Sequence, residues 1–230
     1  LGQHLKLQGA QKTHSVYLPL VGDFQTSNAL VAAGLVLATG GEEVLVMHAL
    51  ESLQGAKGRL ELVGKSKSGA SIFVDYAHTP DALEKVLIVL RELAATRGGK
   101  LTCVFGCGGE RDAGKRPEMG AVAERLADKV VVTSDNPRHE NGEAIINDIL
   151  AGMAHPPTVE AKREDAIASA IGQARVNDVI LLAGKGHEPY QEIAGVRHPF
   201  DDVTAAKSAL AIRRAGDFLT SLNSANGAVT

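Results

Sequence analysis

Ser71-Ile72-Phe73-Val74-Asp75-Tyr76-Ala77-His78-Thr79-Pro80-Asp81 begins as a short apolar run and ends on a helix start signal. Ile72, Phe73 and Val74 are β-favouring side chains in a run too short for a helix, so they read as a buried strand. Thr79 suits an N-cap and Pro80 the first helical position. Asp75 to His78 therefore stand at the carboxyl end of a strand. The same pattern repeats downstream. Strands are expected at 101–105, 129–133, 158–161 (weakly) and 179–183, with helices near 80–95, 117–127, 142–153, 164–175 and 203–215. Strands and helices that alternate through short loops predict an α/β fold with a mostly parallel sheet and helices on both faces. In such sheets ligands bind beyond the carboxyl ends of the strands, so the residues after each strand carry the most information.

Upstream of Ser71 the pattern is less regular. Leu5 and Leu7 alternate with polar neighbours, as do Val16, Leu18 and Leu20, and the turn-like segment 9–12 between them predicts a hairpin. Residues 22–27 read as a polar loop, 29–39 and 42–53 as helices, and the Gly-, Lys- and Ser-rich stretch 55–71 as a linker.

Composition narrows the classes. The chain has 230 residues, 44% of them hydrophobic but only 3% aromatic, and no Trp, so its core is aliphatic. A formal charge of −3 gives no basic excess for nucleic acid. No apolar run approaches the roughly 18 residues of a spanning helix, and the start lacks the layout of a signal peptide. Cys103 and Cys107 are too few for a disulfide framework, and a lone C-x3-C is a poor zinc site. A cytoplasmic compartment is expected. Leu1 in the place of an initiator Met reads as a start partway through a larger protein.

Four strand ends carry polar or glycine-rich loops. Asp75 and His78 follow the first. Gly106-Cys107-Gly108-Gly109-Glu110-Arg111-Asp112-Ala113-Gly114-Lys115-Arg116 follows the second; its glycines would let backbone N–H groups approach an anion, but Arg111 occupies the third glycine position of the dinucleotide fingerprint. Asp135-Asn136-Pro137-Arg138 follows the third and Gly184-Lys185-Gly186-His187-Glu188 the last. Each loop alone is ordinary turn chemistry; their convergence on one sheet edge points to a polar ligand. The one near match to a phosphate loop, Gly58 to Ser66, has the wrong spacing and no following helix.

These motifs, in this order, resemble the C-terminal half of the Mur ligases of peptidoglycan synthesis, and within them the branch that adds diaminopimelate. The resemblance rests on residues 75–81, 105–109, 114–117, 135–138 and 184–188; Gln25 and Glu110 depart slightly from the family pattern. It implies that residues 1–62 are the end of a central ATP-binding domain with its linker. Residues 63–230 would form a Rossmann-like amino-acid-binding domain. The phosphate loop, the magnesium-organising lysine and the UDP site would belong to N-terminal domains outside the chain. It implies ATP and Mg2+ as cofactors, and UDP-N-acetylmuramoyl dipeptide and meso-diaminopimelate as substrates. It assigns Arg116, Asp135, Asn136, Arg138, Gly184 and Glu188 to diaminopimelate, and Asn28, Arg59, Asp75, His78 and Lys115 to the nucleotide. Guanidinium groups suit the two carboxylates of that amino acid, and acidic groups its distal ammonium. A lysine-adding relative and a non-catalytic metabolite-binding module remain as alternatives; an NAD-dependent oxidoreductase is disfavoured by Arg111.

Overall fold

The computed structural model describes residues 2–9, 12–66 and 69–212. The chain separates into two units, Leu1–Ala56 and Lys57–Thr230. The break falls ahead of the boundary expected at 62, because the residues around it already belong to the second unit's sheet.

In the first unit, β1 (Gln3–Gln8) and β2 (Thr13–Leu18) form the expected antiparallel hairpin, closed by the Gly9 N–H donating to the Lys12 carbonyl at 2.8 Å. Two helices follow, α1 (Asp23–Ala38) and α2 (Glu43–Glu51). Helix α1 starts at Asp23, so the stretch read as a polar loop is its first turn; Asp23 places a carboxylate at the positive end of the helix dipole. Val16, Leu18, Ala29, Ala33, Val46 and Leu50 form the core of this unit. Val31, Leu35, Val36 and Leu45 remain exposed.

The second unit is built on a six-stranded sheet in the order β3-β4-β8-β5-β6-β7. The strands are β3 (Glu61–Lys65), β4 (Ser71–Asp75), β5 (Leu101–Phe105), β6 (Lys129–Val132), β7 (Thr158–Val159) and β8 (Val179–Ala183). All pairs are parallel except β3 with β4. β3 lies inside the stretch read as linker. It is an edge strand with glycine and lysine in it, so it has no buried run to announce it.

Helices α3 (Pro80–Thr96), α4 (Lys115–Leu126) and α5 (Gly142–Leu150) pack in succession on one face. On the other lie α6 (Arg163–Gln173) and α7, a helix described over 202–212. The expected residues 213–215 of the last helix lie outside the described residues. Pleating divides the strands between the faces. Ile72, Val74, Val104, Ile180 and Leu182 meet Ile167, Ile171, Val203 and Leu210 of α6 and α7. Their alternates Phe73, Cys103, Phe105 and Leu181 are fully buried and point the other way.

Thr79 caps α3 as expected, its hydroxyl accepting from the Ala82 N–H at 3.3 Å with Pro80 in the first turn. Strand β8 enters between β4 and β5, so the chain reverses its direction across the sheet there. The loops after β4, β5, β6 and β8 converge at that reversal. A last pair of strands, β9 (Tyr190–Ile193) and β10 (Val196–Pro199), forms a separate antiparallel hairpin.

Candidate functional site

The converging loops line a cavity of about 320 Å³. Tyr76, His78 and Thr79 come from the loop after β4, and Gly108, Arg111, Asp112 and Lys115 from that after β5. Asp135, Asn136 and Arg138 follow β6, and Gly184 and Glu188 follow β8. The glycines between them are needed for contact among loops. A Cβ at Gly109 would sit 2.0 Å from the Pro137 carbonyl oxygen, and the Gly109 N–H donates to the Asn136 carbonyl at 2.9 Å. Gly184 has φ 110°, and a Cβ there would approach Asp135 Oδ2 to 2.7 Å.

Asn136 is buried and held from three sides. Its Oδ1 accepts from Lys185 Nζ at 3.0 Å and from the Glu192 N–H at 2.9 Å, while its Nδ2 donates to Glu188 Oε2 at 2.8 Å. Two donors on Oδ1 fix the amide orientation. Burial pushes the Asp135 carboxyl above the ordinary carboxylate range, against the pull of Arg163 and Lys185.

Arg138 has φ 54°, in the left-handed region. The hairpin holds it there: the Arg138 N–H donates to the Glu192 carbonyl at 3.0 Å, and its carbonyl accepts from the Ala194 N–H at 2.6 Å. Its Nη1 donates to the Gly109 carbonyl at 2.7 Å.

The structure places Arg116 away from the cavity. It is buried in the first turn of α4, with Nη1 on Asp148 Oδ2 and Nη2 on Glu140 Oε2, both at 2.8 Å. The helix begins at Lys115, ahead of the expected 117, and so turns Arg116 toward α5. Arg111, noted in the sequence only for spoiling a fingerprint, is the exposed guanidinium of this loop that lines the cavity.

The second group gathers on Tyr76. The Arg59 guanidinium lies 4.9 Å from its ring centroid, His78 packs against it edge-on at 4.6 Å, and His187 lies 5.7 Å away. Lys115 Nζ donates to the His78 carbonyl at 2.8 Å. Asp75 does not line the cavity. Its Oδ2 accepts from the Leu60 N–H and its Oδ1 from the Ala77 N–H, each at 2.7 Å. Burial raises its carboxyl above the ordinary range, with these two bonds opposing. Asp75 thus fixes the turn that carries Arg59. Asn28 lies exposed on α1 of the first unit.

The cysteines are buried neutral thiols. Desolvation pushes both Cys103 and Cys107 up to about 12, so neither is poised as a nucleophile. No helix among the described residues is long and apolar enough to cross a membrane.

Residues 58–186 match the family described as Mur ligase, glutamate ligase domain. The chain belongs to the Mur ligase family. A Mur ligase of Pseudomonas aeruginosa, UDP-N-acetylmuramoyl-L-alanyl-D-glutamate--2,6-diaminopimelate ligase, is 55% identical over 195 residues, 84% of this chain and 39% of its own length. The protein of that name from Xanthomonas oryzae pv. oryzae is 50% identical over 208 residues, covering 90% of this chain and 41% of the relative. The chain thus spans about two fifths of the length of these curated relatives. A solved structure of a ligase with the same name superimposes with a TM-score of 0.68 at 39% identity, over 92% of this chain and 43% of that one. UDP-N-acetylmuramate-alanine ligase from Thermotoga maritima, at 21% identity and TM-score 0.62, shares the fold.

Within this Mur ligase domain, sequence reasoning missed three supports of the site. Lys185 was noted only as part of a loop, yet it is fully buried among acceptors. Arg163 and Asp202 form a buried pair with two bonds of 2.7 Å, and Arg163 Nη2 also holds the Ala183 carbonyl at 2.9 Å, next to Gly184. Hairpin β9–β10 bonds to Asp135, Asn136 and Arg138. A charged residue opening a helix and an acidic residue opening the next are faint signals, since both usually serve helix ends.

Proposed function

We propose that this chain is the amino-acid-binding portion of an ATP-dependent ligase that adds meso-2,6-diaminopimelate to UDP-N-acetylmuramoyl-L-alanyl-D-glutamate in peptidoglycan biosynthesis. ATP converts the D-glutamate side carboxylate to an acyl phosphate; an amine of diaminopimelate attacks the acyl carbon, and phosphate leaves. The observation that carries this reading is one cavity that gathers the cationic groups of Arg111, Lys115 and Arg138 with three carboxylates, Asp112, Asp135 and Glu188. A free diaminopimelate presents two carboxylates and two ammonium groups, and matching charges on the protein side are what such a zwitterion needs.

On this reading Arg138 and Arg111 take carboxylates, Asp135 and Glu188 take the distal ammonium, and Asn136 and the Gly184 backbone fix the chain of the ligand. Arg116 acts from behind, by fixing Glu140 and the loop after β5. The cluster of Arg59, Tyr76, His78 and Lys115 offers a cationic and aromatic surface to ATP. We assign the first unit, Leu1–Ala56, to the end of a central ATP-binding domain. Its exposed Val31, Leu35, Val36 and Leu45 are what helices lacking a covering sheet would present. The phosphate loop and UDP site would then lie in N-terminal domains of the same enzyme, and the reaction would take place in the cytoplasm. Mg2+ is expected to accompany ATP. Among the described residues no group of three His, Cys, Asp or Glu is placed to hold a metal, and the roles assigned to these residues do not involve the ion.

Titration calorimetry with meso-diaminopimelate and L-lysine tests the assignment. Tighter binding of meso-diaminopimelate, lost in Arg138→Ala, is the expected result. Preference for L-lysine would replace it with the lysine-adding reaction. In the assembled ligase, Arg138→Ala should raise KM for diaminopimelate far more than KM for ATP; equal losses would refute the role given to Arg138.

A further inference from the structure

Lys185 is 0% exposed, so no substrate atom reaches its ammonium. A buried ammonium persists only when it is paired and hydrogen-bonded. Its Nζ faces Asn136 Oδ1 at 3.0 Å, Glu188 Oε2 at 3.4 Å and Asp135 Oδ1 at 3.7 Å. The Tyr190 ring lies on a further side, with its centroid 5.8 Å away. All three acceptors line the cavity, and they come from two different strand-end loops. One hidden cation thus touches each of the residues assigned to the ammonium end of the ligand.

We propose that Lys185 is a positioning residue of the amino-acid site: its ammonium ties the loop after β6 to the loop after β8 and sets the side chains of Asp135, Asn136 and Glu188 for the ligand's distal ammonium. This rests on the reading of the cavity as a diaminopimelate site. Two carboxylates facing one another without a cation between them repel, and the pair relieves the repulsion by holding a proton. A protonated carboxyl cannot draw an ammonium group, so Lys185 keeps the acidic end of the cavity acidic. The charged groups acting on Asp135 are Arg163 from α6, Lys185 and Glu188 from the loop after β8, and Asp202 from α7; Asp135 in turn acts on the buried thiol of Cys107. With Lys185 gone, Arg163 is the remaining cation in that set, and it is already committed to Asp202.

Calorimetry of meso-diaminopimelate with the 230-residue chain, native and Lys185→Met, tests this. The variant should bind about tenfold more weakly near neutral pH, as expected for loss of a charged hydrogen bond. The deficit should shrink as pH rises, because a proton trapped on Asp135 is then released. A loss that is equal at every pH would mark a purely structural lysine and overturn the proposal. So would an unchanged affinity. Failure of the native chain to bind meso-diaminopimelate sinks the substrate reading and the inference with it, whereas native binding with an unaffected variant sinks the inference alone. If Lys185→Met does not fold, the native chain still decides. Its Lys185 ammonium should give a slowly exchanging ¹⁵N-detected signal that shifts when meso-diaminopimelate is added. A signal that does not respond to saturating ligand refutes the link.

Discussion

Asp202→Ala should be among the most damaging single substitutions in the second unit, although Asp202 does not line the cavity between the strand-end loops. The Arg163 guanidinium it serves is 1% exposed, and Asp202 itself is 0% exposed. Two parallel bonds of 2.7 Å join Arg163 Nε to Asp202 Oδ1 and Nη2 to Oδ2. Arg163 Nη1 has no hydrogen-bond partner among the described residues, so the pair has little reserve. Removing the carboxylate strands a buried positive charge, at a cost of about 3–5 kcal/mol. For a chain of this size each kcal/mol lowers Tm by roughly 2–4 °C, so the drop should be on the order of 10 °C. The chain has no Trp, so far-UV circular dichroism in heat and urea is the suitable assay. Hydrogen exchange at Ala183 and Gly184 would report locally, because Arg163 also holds the Ala183 carbonyl. The double variant Arg163→Met/Asp202→Leu removes both charges and should recover most of the loss. A single-variant cost below about 1 kcal/mol, the range of exposed pairs, would refute the reasoning. A double variant as unstable as the single would refute it equally.

Three further outcomes follow from the same geometry. Arg111→Ala should weaken meso-diaminopimelate binding and leave Tm nearly unchanged, whereas Arg116→Ala should lower Tm by freeing Glu140 and Asp148; calorimetry and melting curves on both variants separate the roles. Cys103 and Cys107, with thiols pushed up to about 12, should resist iodoacetamide at pH 8 in the folded chain and react once urea unfolds it, as mass spectrometry would record. Asp135 holds its proton above the ordinary 3.8 when folded. Across that window the folded chain binds more protons than the unfolded one, so Asp135 contributes stability at low pH that is lost as pH rises. Asp135→Asn should remove this component, so the native-minus-variant difference in urea stability should fall with rising pH; a difference that rises would contradict the burial argument.

The strands Leu101–Phe105 and Val179–Ala183 are legible in the sequence to the residue, because every side chain in them is buried and the result is an apolar run, interrupted only by Thr102. Thr79 and Pro80 mark the start of α3 equally well. β3 and hairpin β9–β10 are not legible. Their residues are mostly half-buried or exposed, and their pairing partners are fixed by tertiary position rather than by alternation. The strand-end loops were found by topology, since a parallel sheet delivers them to one edge. Which arginine points into the cavity was not, because that depends on where α4 begins. A shift of two residues in that start puts Arg116 inside the helix and against α5, while Arg111 stays in the loop that lines the cavity. Asp75 shows a related limit. A carboxylate at a strand end has the composition of a ligand contact, and only the Leu60 and Ala77 N–H groups reveal that it is occupied.

Hairpin β9–β10 grips the loop after β6 largely through peptide groups: Glu192 and Ala194 with the Arg138 main chain, and the Glu192 N–H with Asn136. Such a grip is written in chain path rather than in side-chain identity. Alanine scanning across most of the hairpin would therefore read as silent, while a proline at Glu192 or a one-residue deletion at the Ala194-Gly195 turn would unseat an arginine more than fifty positions earlier in the chain. For anyone redesigning which amino acid this pocket accepts, the length and register of a surface ribbon become a dial as consequential as the residues that meet the ligand.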